Sequence, residues 1–132
     1  MSDEAAPAVV DQDVLDELEH SVGDDRAFLR ELVETYLDET PRLVATLRAG
    51  LAERDVERTN RAAHTIKSTS ASLGALGLSA MARELETLTS VATTEAADLD
   101  APEIRALVDL VATEYDEVAV ELNALVPPAD AN

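Results

Sequence analysis

The chain has 132 residues, enough for one domain with a single core. Apolar residues make up 46% of it and aromatics only 2%, so the core must be built from Leu, Val, Ile and Ala, a composition that suits packed helices. A formal net charge of −18 disfavours nucleic acid and anionic lipid as partners. The absence of cysteine excludes disulfides, thiol catalysis and Cys-based zinc sites, and two histidines are too few for a His-based metal cage.

Residues 1 to 10, acidic and then Ala/Pro-rich, are expected to form a flexible lead. Their charge has the wrong sign for a signal peptide, and no apolar run approaches the roughly 18–20 residues that span a bilayer, so a cytoplasmic location is expected. Asp11 or Asp13 caps a short helix with Val14, Leu15, Leu18 and Val22 on one face, ended by Gly23. Asp24 or Asp25 caps a second helix whose apolar positions Phe28, Leu29, Leu32, Tyr36, Leu43, Leu47 and Leu51 recur at helical spacing. Pro41 lies inside this run, and the pattern keeps its phase across it, which predicts one kinked helix rather than two.

Asp55 opens a third helix with Val56, Thr59, Ala63, Ile66, Ser70 and Leu73 inward. The segment Gly74 to Gly77 breaks it. A fourth helix follows with Leu78, Met81, Leu85, Leu88 and Ala92 on its stripe, and then a loop, TTEAADLDA. Asp100 caps and Pro102 starts a fifth helix with Ile104, Leu107, Val108, Val111, Tyr115, Val118, Leu122 and Leu125 inward. No segment alternates with period two, so no sheet is expected. The fold class is all-α: an antiparallel four-helix bundle over residues 11–126 with a short extra N-terminal helix, followed by a flexible tail at 127–132.

The chemistry concentrates on the third helix. At 100° per residue His64 falls roughly 130° from the centre of the inward stripe and faces solvent. Asn60, Arg61, Lys67, Ser68 and Ala71 share its face, and Asn60 and Ala71 are expected to lie on the surface a partner docks against. A histidine flanked by Arg61 and Lys67 is unusual in a chain with 10 basic and 28 acidic residues. Phosphoryl chemistry accounts for it. A neutral imidazole is a good nucleophile toward phosphorus, and the phosphohistidine it forms carries negative charge that Lys67, and Arg61 as a second candidate, can offset. Small residues at Ser68 and Ala71 keep the approach open for a docking protein, and Ser68 can also hydrogen-bond. His20, in the acidic stretch DELEH, serves as a control: an exposed histidine with no such neighbours.

The stretch AHTIKSTSASLGALGLSAMARELE resembles the signature of histidine phosphotransfer (HPt) domains of two-component phosphorelays. His64, Ile66, Lys67, Ser68, Leu73, Gly74 and Ala75 match it in order, and FLRELVETYLDETPRLVATL is similar to the family's second helix. Many members carry Gly where this chain has Ser68. The resemblance implies that His64 accepts a phosphoryl group, through Nε2, from a receiver-domain aspartyl phosphate or a histidine kinase and passes it to a response-regulator aspartate. It implies a phosphocarrier rather than an enzyme. Gly74 is then a packing and turn residue, and Mg²⁺ belongs to the receiver partner. There is no GxxxxGK[ST] loop for ATP, and no cofactor or metal of the chain's own is expected. The expected partners are a receiver domain and a sensor or hybrid kinase. The termini look like those of a free-standing protein, and a monomer is the simpler expectation. Two other readings use the same bundle: a non-catalytic adaptor for a receiver domain, and the phosphorylated domain of a chemotaxis-type kinase. Finally, many acids, many Ala and Thr, and a single lysine, Lys67, resemble the composition of proteins from high-salt cytoplasms; on that reading low salt destabilises the fold.

Overall fold

A computed structural model describes residues 8–128; the rest of the expected lead and tail lies outside the described residues. Every extended element among the described residues is helical: α1 (Gln12–Ser21), α2 (Arg26–Glu53), α3 (Val56–Ser72), α4 (Leu76–Leu88), a 3₁₀ turn (Ala96–Asp100) and α5 (Pro102–Leu125). The first three helices start on aspartates. The carboxylates of Asp11, Asp25 and Asp55 accept from the backbone N–H of Asp13, Phe28 and Arg58, each satisfying a donor the first turn leaves free. Helix α2 ends with Arg54 in the left-handed region at φ 54°. There Arg54 N–H donates to Leu51 and Asp55 N–H to Gly50, which satisfies the last carbonyls and turns the chain sharply into α3.

Helix α2 runs unbroken through Pro41. The proline has no N–H, so the carbonyl of Leu37 one turn back loses its usual donor. The Tyr115 hydroxyl on α5 supplies one at 3.1 Å, and Thr40 Oγ1 donates to the Tyr36 carbonyl at 2.8 Å. The irregularity is repaired by the neighbouring helix.

Helix α3 packs on α2 and α4, and α5 closes the ring against both. The cross-links give the directions. Tyr36 meets Ser70 while Gly50 meets Thr59; Asn60 meets Glu86 while Ser79 meets Lys67; Arg30 meets Asn123 while Arg48 meets Asp109. In each pair one helix ascends as the other descends, so the four long helices are antiparallel. The core is aliphatic, with Leu29, Val33, Leu47, Ala63, Ile66, Leu78, Leu85, Val111, Val118 and Leu122 fully buried. Each large aliphatic side chain contributes about 1.5–3 kcal/mol by leaving water. At Gly50 a Cβ would lie 2.1 Å from Thr59 Oγ1, so only glycine lets α2 and α3 approach this closely.

Several local expectations are corrected. Phe28 is 42% exposed, and Val33 takes the inward position instead, because the buried row of α2 runs Leu29, Val33, Tyr36, Thr40. Leu88 and Ala92 are exposed; α4 ends at Leu88 and Ala92 lies beyond it. The expected loop contains the 3₁₀ turn, which buries Leu99. Ala101, not Asp100, is the N-cap of α5, and Asp100 instead pairs with Arg54 at 2.6 Å. Helix α4 begins at Leu76, so Gly77 lies inside its first turn. Within the lead, Val10 is buried, and the N–H groups of Val9 and Val10 donate to the Glu121 carboxylate at 3.0–3.1 Å.

Candidate functional site

The exposed face of α3 carries the site. Its buried row, Thr59, Ala62, Ala63, Ile66 and Ser70, fixes the rotation of the helix. Tyr36 locks it further, since its hydroxyl and that of Ser70 hydrogen-bond at 2.8 Å inside the bundle. Burial pushes the Tyr36 phenol up to about 12, so it stays neutral. With α3 held this way, the His64 side chain is 57% exposed.

The imidazole is not free to spin. Its Nδ1 lies 2.8 Å from Glu86 Oε2 on α4, and the other carboxylate oxygen, Oε1, lies 2.7 Å from Lys67 Nζ. The Lys67 hydrogen bond is the main influence holding Glu86 below the usual carboxylate range, with the His64 hydrogen bond acting in the same direction against partial desolvation. Glu86 is therefore an anion at neutral pH and can only accept. His64 Nδ1 must carry the proton, which leaves the Nε2 lone pair as the free one. One carboxylate thus sets the tautomer and aim of the histidine and positions the lysine one turn away.

The remaining predicted residues fall into two groups. Lys67 and Ser68 lie beside His64, Ser68 exposed one turn along α3 and Lys67 half-buried against Glu86. Ala71 continues this face and is half-buried. Arg61 is exposed and points along α3 to Glu57, 3.6 Å away. Asn60 uses its amide to hold the end of α4, donating to the Glu86 carbonyl at 2.9 Å. It thereby fixes the backbone of the residue that orients His64. Gly74 has φ +85° and is buried; a Cβ there would lie 2.6 Å from the Asp11 carbonyl, and its own carbonyl accepts from Asp11 N–H at 2.8 Å. It is a structural joint between α1 and the α3–α4 turn. His20 sits 3.5 Å from Asp24 at the end of α1 and is 84% exposed.

Glu86 escaped the sequence reading, and so did Arg83, which lies one turn earlier on the same flank of α4. The available signal was a polar row on that helix, Ser79, Arg83 and Glu86, at i, i+4 and i+7. Between α1, α2 and α3 a cleft of about 220 Å³ opens, with Leu18, Leu32, Tyr36 and Leu73 among its walls.

The fold is an all-helical bundle that presents one anchored, exposed imidazole beside a lysine. The Hpt domain model matches residues 31–121, and the chain belongs to the Hpt domain family, the phosphotransfer carriers of two-component signalling. Two solved structures share its fold. Histidine-containing phosphotransfer protein B (HptB) from Pseudomonas aeruginosa PAO1 is 23% identical, with a TM-score of 0.74 over 91% of this chain and 95% of that one. The HPT domain of the Hpt sensor hybrid histidine kinase from Shewanella is 22% identical, with a TM-score of 0.62 over 86% and 97%. No curated protein sequence matches the chain.

Proposed function

We propose that His64 is the phosphorylated nucleophile of a phosphorelay intermediate, taking the group from a receiver-domain aspartyl phosphate or a histidine kinase and delivering it to a response-regulator aspartate. The observation that carries this reading is the 2.8 Å contact between His64 Nδ1 and Glu86, which leaves Nε2 as the exposed nucleophile. Nε2 attacks phosphorus in line as the bond to the partner's aspartate oxygen breaks; the aspartate leaves as carboxylate, and the Nδ1 proton stays against Glu86. The positive charge that builds on the ring is stabilised by Glu86, and the negative charge on the phosphoryl oxygens by Lys67. Reversal of the same steps hands the group on.

Ser68 keeps the approach to Nε2 open, and Ala71 extends that small-residue surface. The apolar cleft beside Leu18 and Leu32 offers the partner a foothold on the α2 side. Mg²⁺ is expected on the receiver, not on this chain.

The test mixes the protein and its His64→Gln variant with a receiver domain carrying labelled phosphate and Mg²⁺. Acid-labile, base-stable label should appear on the wild type and be absent from the variant. A folded wild type that binds receivers but takes no label would replace this reading with that of an adaptor.

A further inference from the structure

In a chain with 28 acidic residues an arginine finds a carboxylate almost anywhere on the surface. Seven arginines make ion pairs of 2.6–3.6 Å, and Arg105 donates to the Asp100 carbonyl at 2.8 Å. Arg83 makes neither an ion pair nor a side-chain hydrogen bond among the described residues. The local sequence explains why. The residues four away are Ser79 and Thr87, the residue three before is Ala80, and the residue three after is Glu86. Both oxygens of Glu86 are already held by His64 and Lys67.

The position of Arg83 is equally constrained. Ser79 Oγ donates to the Lys67 carbonyl at 2.8 Å, and Glu86 reaches His64 at 2.8 Å. Arg83 sits between these two contacts on the flank of α4 that borders α3, and it is exposed. Charge counting gives it a task. Lys67 contributes one positive charge and Glu86 cancels it, so that pair offers no net charge to an incoming phosphoryl group of about −1.5 to −2. A guanidinium presents two parallel donors suited to such an oxyanion, and here no carboxylate competes for it.

We propose that Arg83 is the second cation of the site, its guanidinium binding the phosphoryl group as it arrives on and leaves His64. The proposal rests on the reading of His64 as the phosphoryl acceptor, and it makes Arg83 a phosphoryl-contacting residue rather than a fold residue.

A small donor separates this idea from any question of partner identity. Phosphoramidate phosphorylates accessible histidines: Nε2 attacks phosphorus, the P–N bond of the donor breaks, ammonia leaves with the three protons it already carries, and Nδ1 keeps its proton. His20, exposed at the end of α1 and paired with Asp24, is the internal reference in the same molecule. The ratio of His64 to His20 labelling rates is measured site by site in wild type, Arg83→Gln, Arg83→Lys and Arg48→Gln. Arg48 lies on the opposite seam, paired with Asp109, and controls for loss of one charge.

The ratio should fall roughly threefold to tenfold in Arg83→Gln, recover by at least half in Arg83→Lys, and stay unchanged in Arg48→Gln. The difference between wild type and Arg83→Gln should shrink as salt is raised, with the melting temperatures of wild type and the two Arg83 variants equal. A ratio in Arg83→Gln equal to that of wild type overturns the proposal and leaves the relay reading intact. If His64 takes no label while His20 does, both readings fall together.

Discussion

The α2–α5 seam and the α3–α4 seam both carry polar side chains between aliphatic layers, and their hydrogen-bond chains end in different places. In the first, each chain closes on protein. Tyr115 caps the Leu37 carbonyl freed by Pro41, Arg48 meets Asp109, and Arg30 donates to Asn123 and to the Val126 carbonyl. In the second, Ser79 and Asn60 tie the helix backbones together, Glu86 gathers Lys67 and His64, and the chain stops at the exposed His64 side chain. A seam where these side-chain contacts all end on other protein groups holds the bundle. A seam that leaves one oriented imidazole exposed is where the proposed phosphoryl chemistry falls. The comparison separates stability from transfer, and substitutions on the two seams should separate in the same way.

The largest effect should come from the open seam. Glu86→Ala removes the group that fixes the Nδ1 proton, and phosphoryl uptake by His64 should fall roughly tenfold to a hundredfold in rapid-quench transfer assays. Glu86→Gln, whose amide oxygen can still accept from Nδ1, should keep more of the rate than Ala. Because Glu86 is held below the ordinary carboxylate range, its anchoring is fully present above that range and is lost only as pH falls through the lowered value.

On the closed seam, Tyr115→Phe should leave the Leu37 carbonyl unpaired beside Pro41. Urea unfolding should show a loss of about 1–3 kcal/mol, with transfer rates within twofold of wild type. Loss of transfer without loss of stability in this variant would break the comparison.

A subtler effect is alkaline. The unfolded chain ionises its tyrosines near pH 10, while buried Tyr36 resists until about 12. The contribution of Tyr36 is therefore fully present below pH 10 and is lost as pH rises between these values, which denaturant titrations can follow. Tyr36→Phe should flatten that decline. The smallest effect is expected at Arg61. Paired with Glu57 at 3.6 Å and away from the imidazole, it should change transfer less than twofold when replaced by Gln.

Much of this was visible in the sequence because a helix writes its own phase. The buried row from Thr59 to Ser70 could be placed from spacing alone, and that placed His64 outside with Lys67 and Ser68 beside it. The inward face of α5 was legible for the same reason, from Ile104 through Leu122. What spacing cannot give is the rotation of one helix against another. Glu86 is 22 residues from His64 and meets it only because α4 is turned so that Ser79 faces the Lys67 carbonyl. Asn60 and Arg61 sit on opposite flanks of His64. The first turns out to hold α4 and the second its own helix, a division that depends on which neighbour each flank faces. Phe28 fits the apolar stripe by spacing, one more apolar residue at the start of α2, but the packed row begins at Leu29. Asp100 looked like a cap until Arg54, closing α2 in a left-handed turn, claimed its carboxylate.

The central claim is that Glu86 holds the Nδ1 proton so that Nε2 of His64 takes the phosphoryl group. Nitrogen-15 and phosphorus-31 NMR on the receiver-phosphorylated protein tests it most directly. The expected result is phosphorus coupled to Nε2 of His64 while Nδ1 remains protonated, with His20 unmodified. Phosphorus on Nδ1, or on His20, would contradict it.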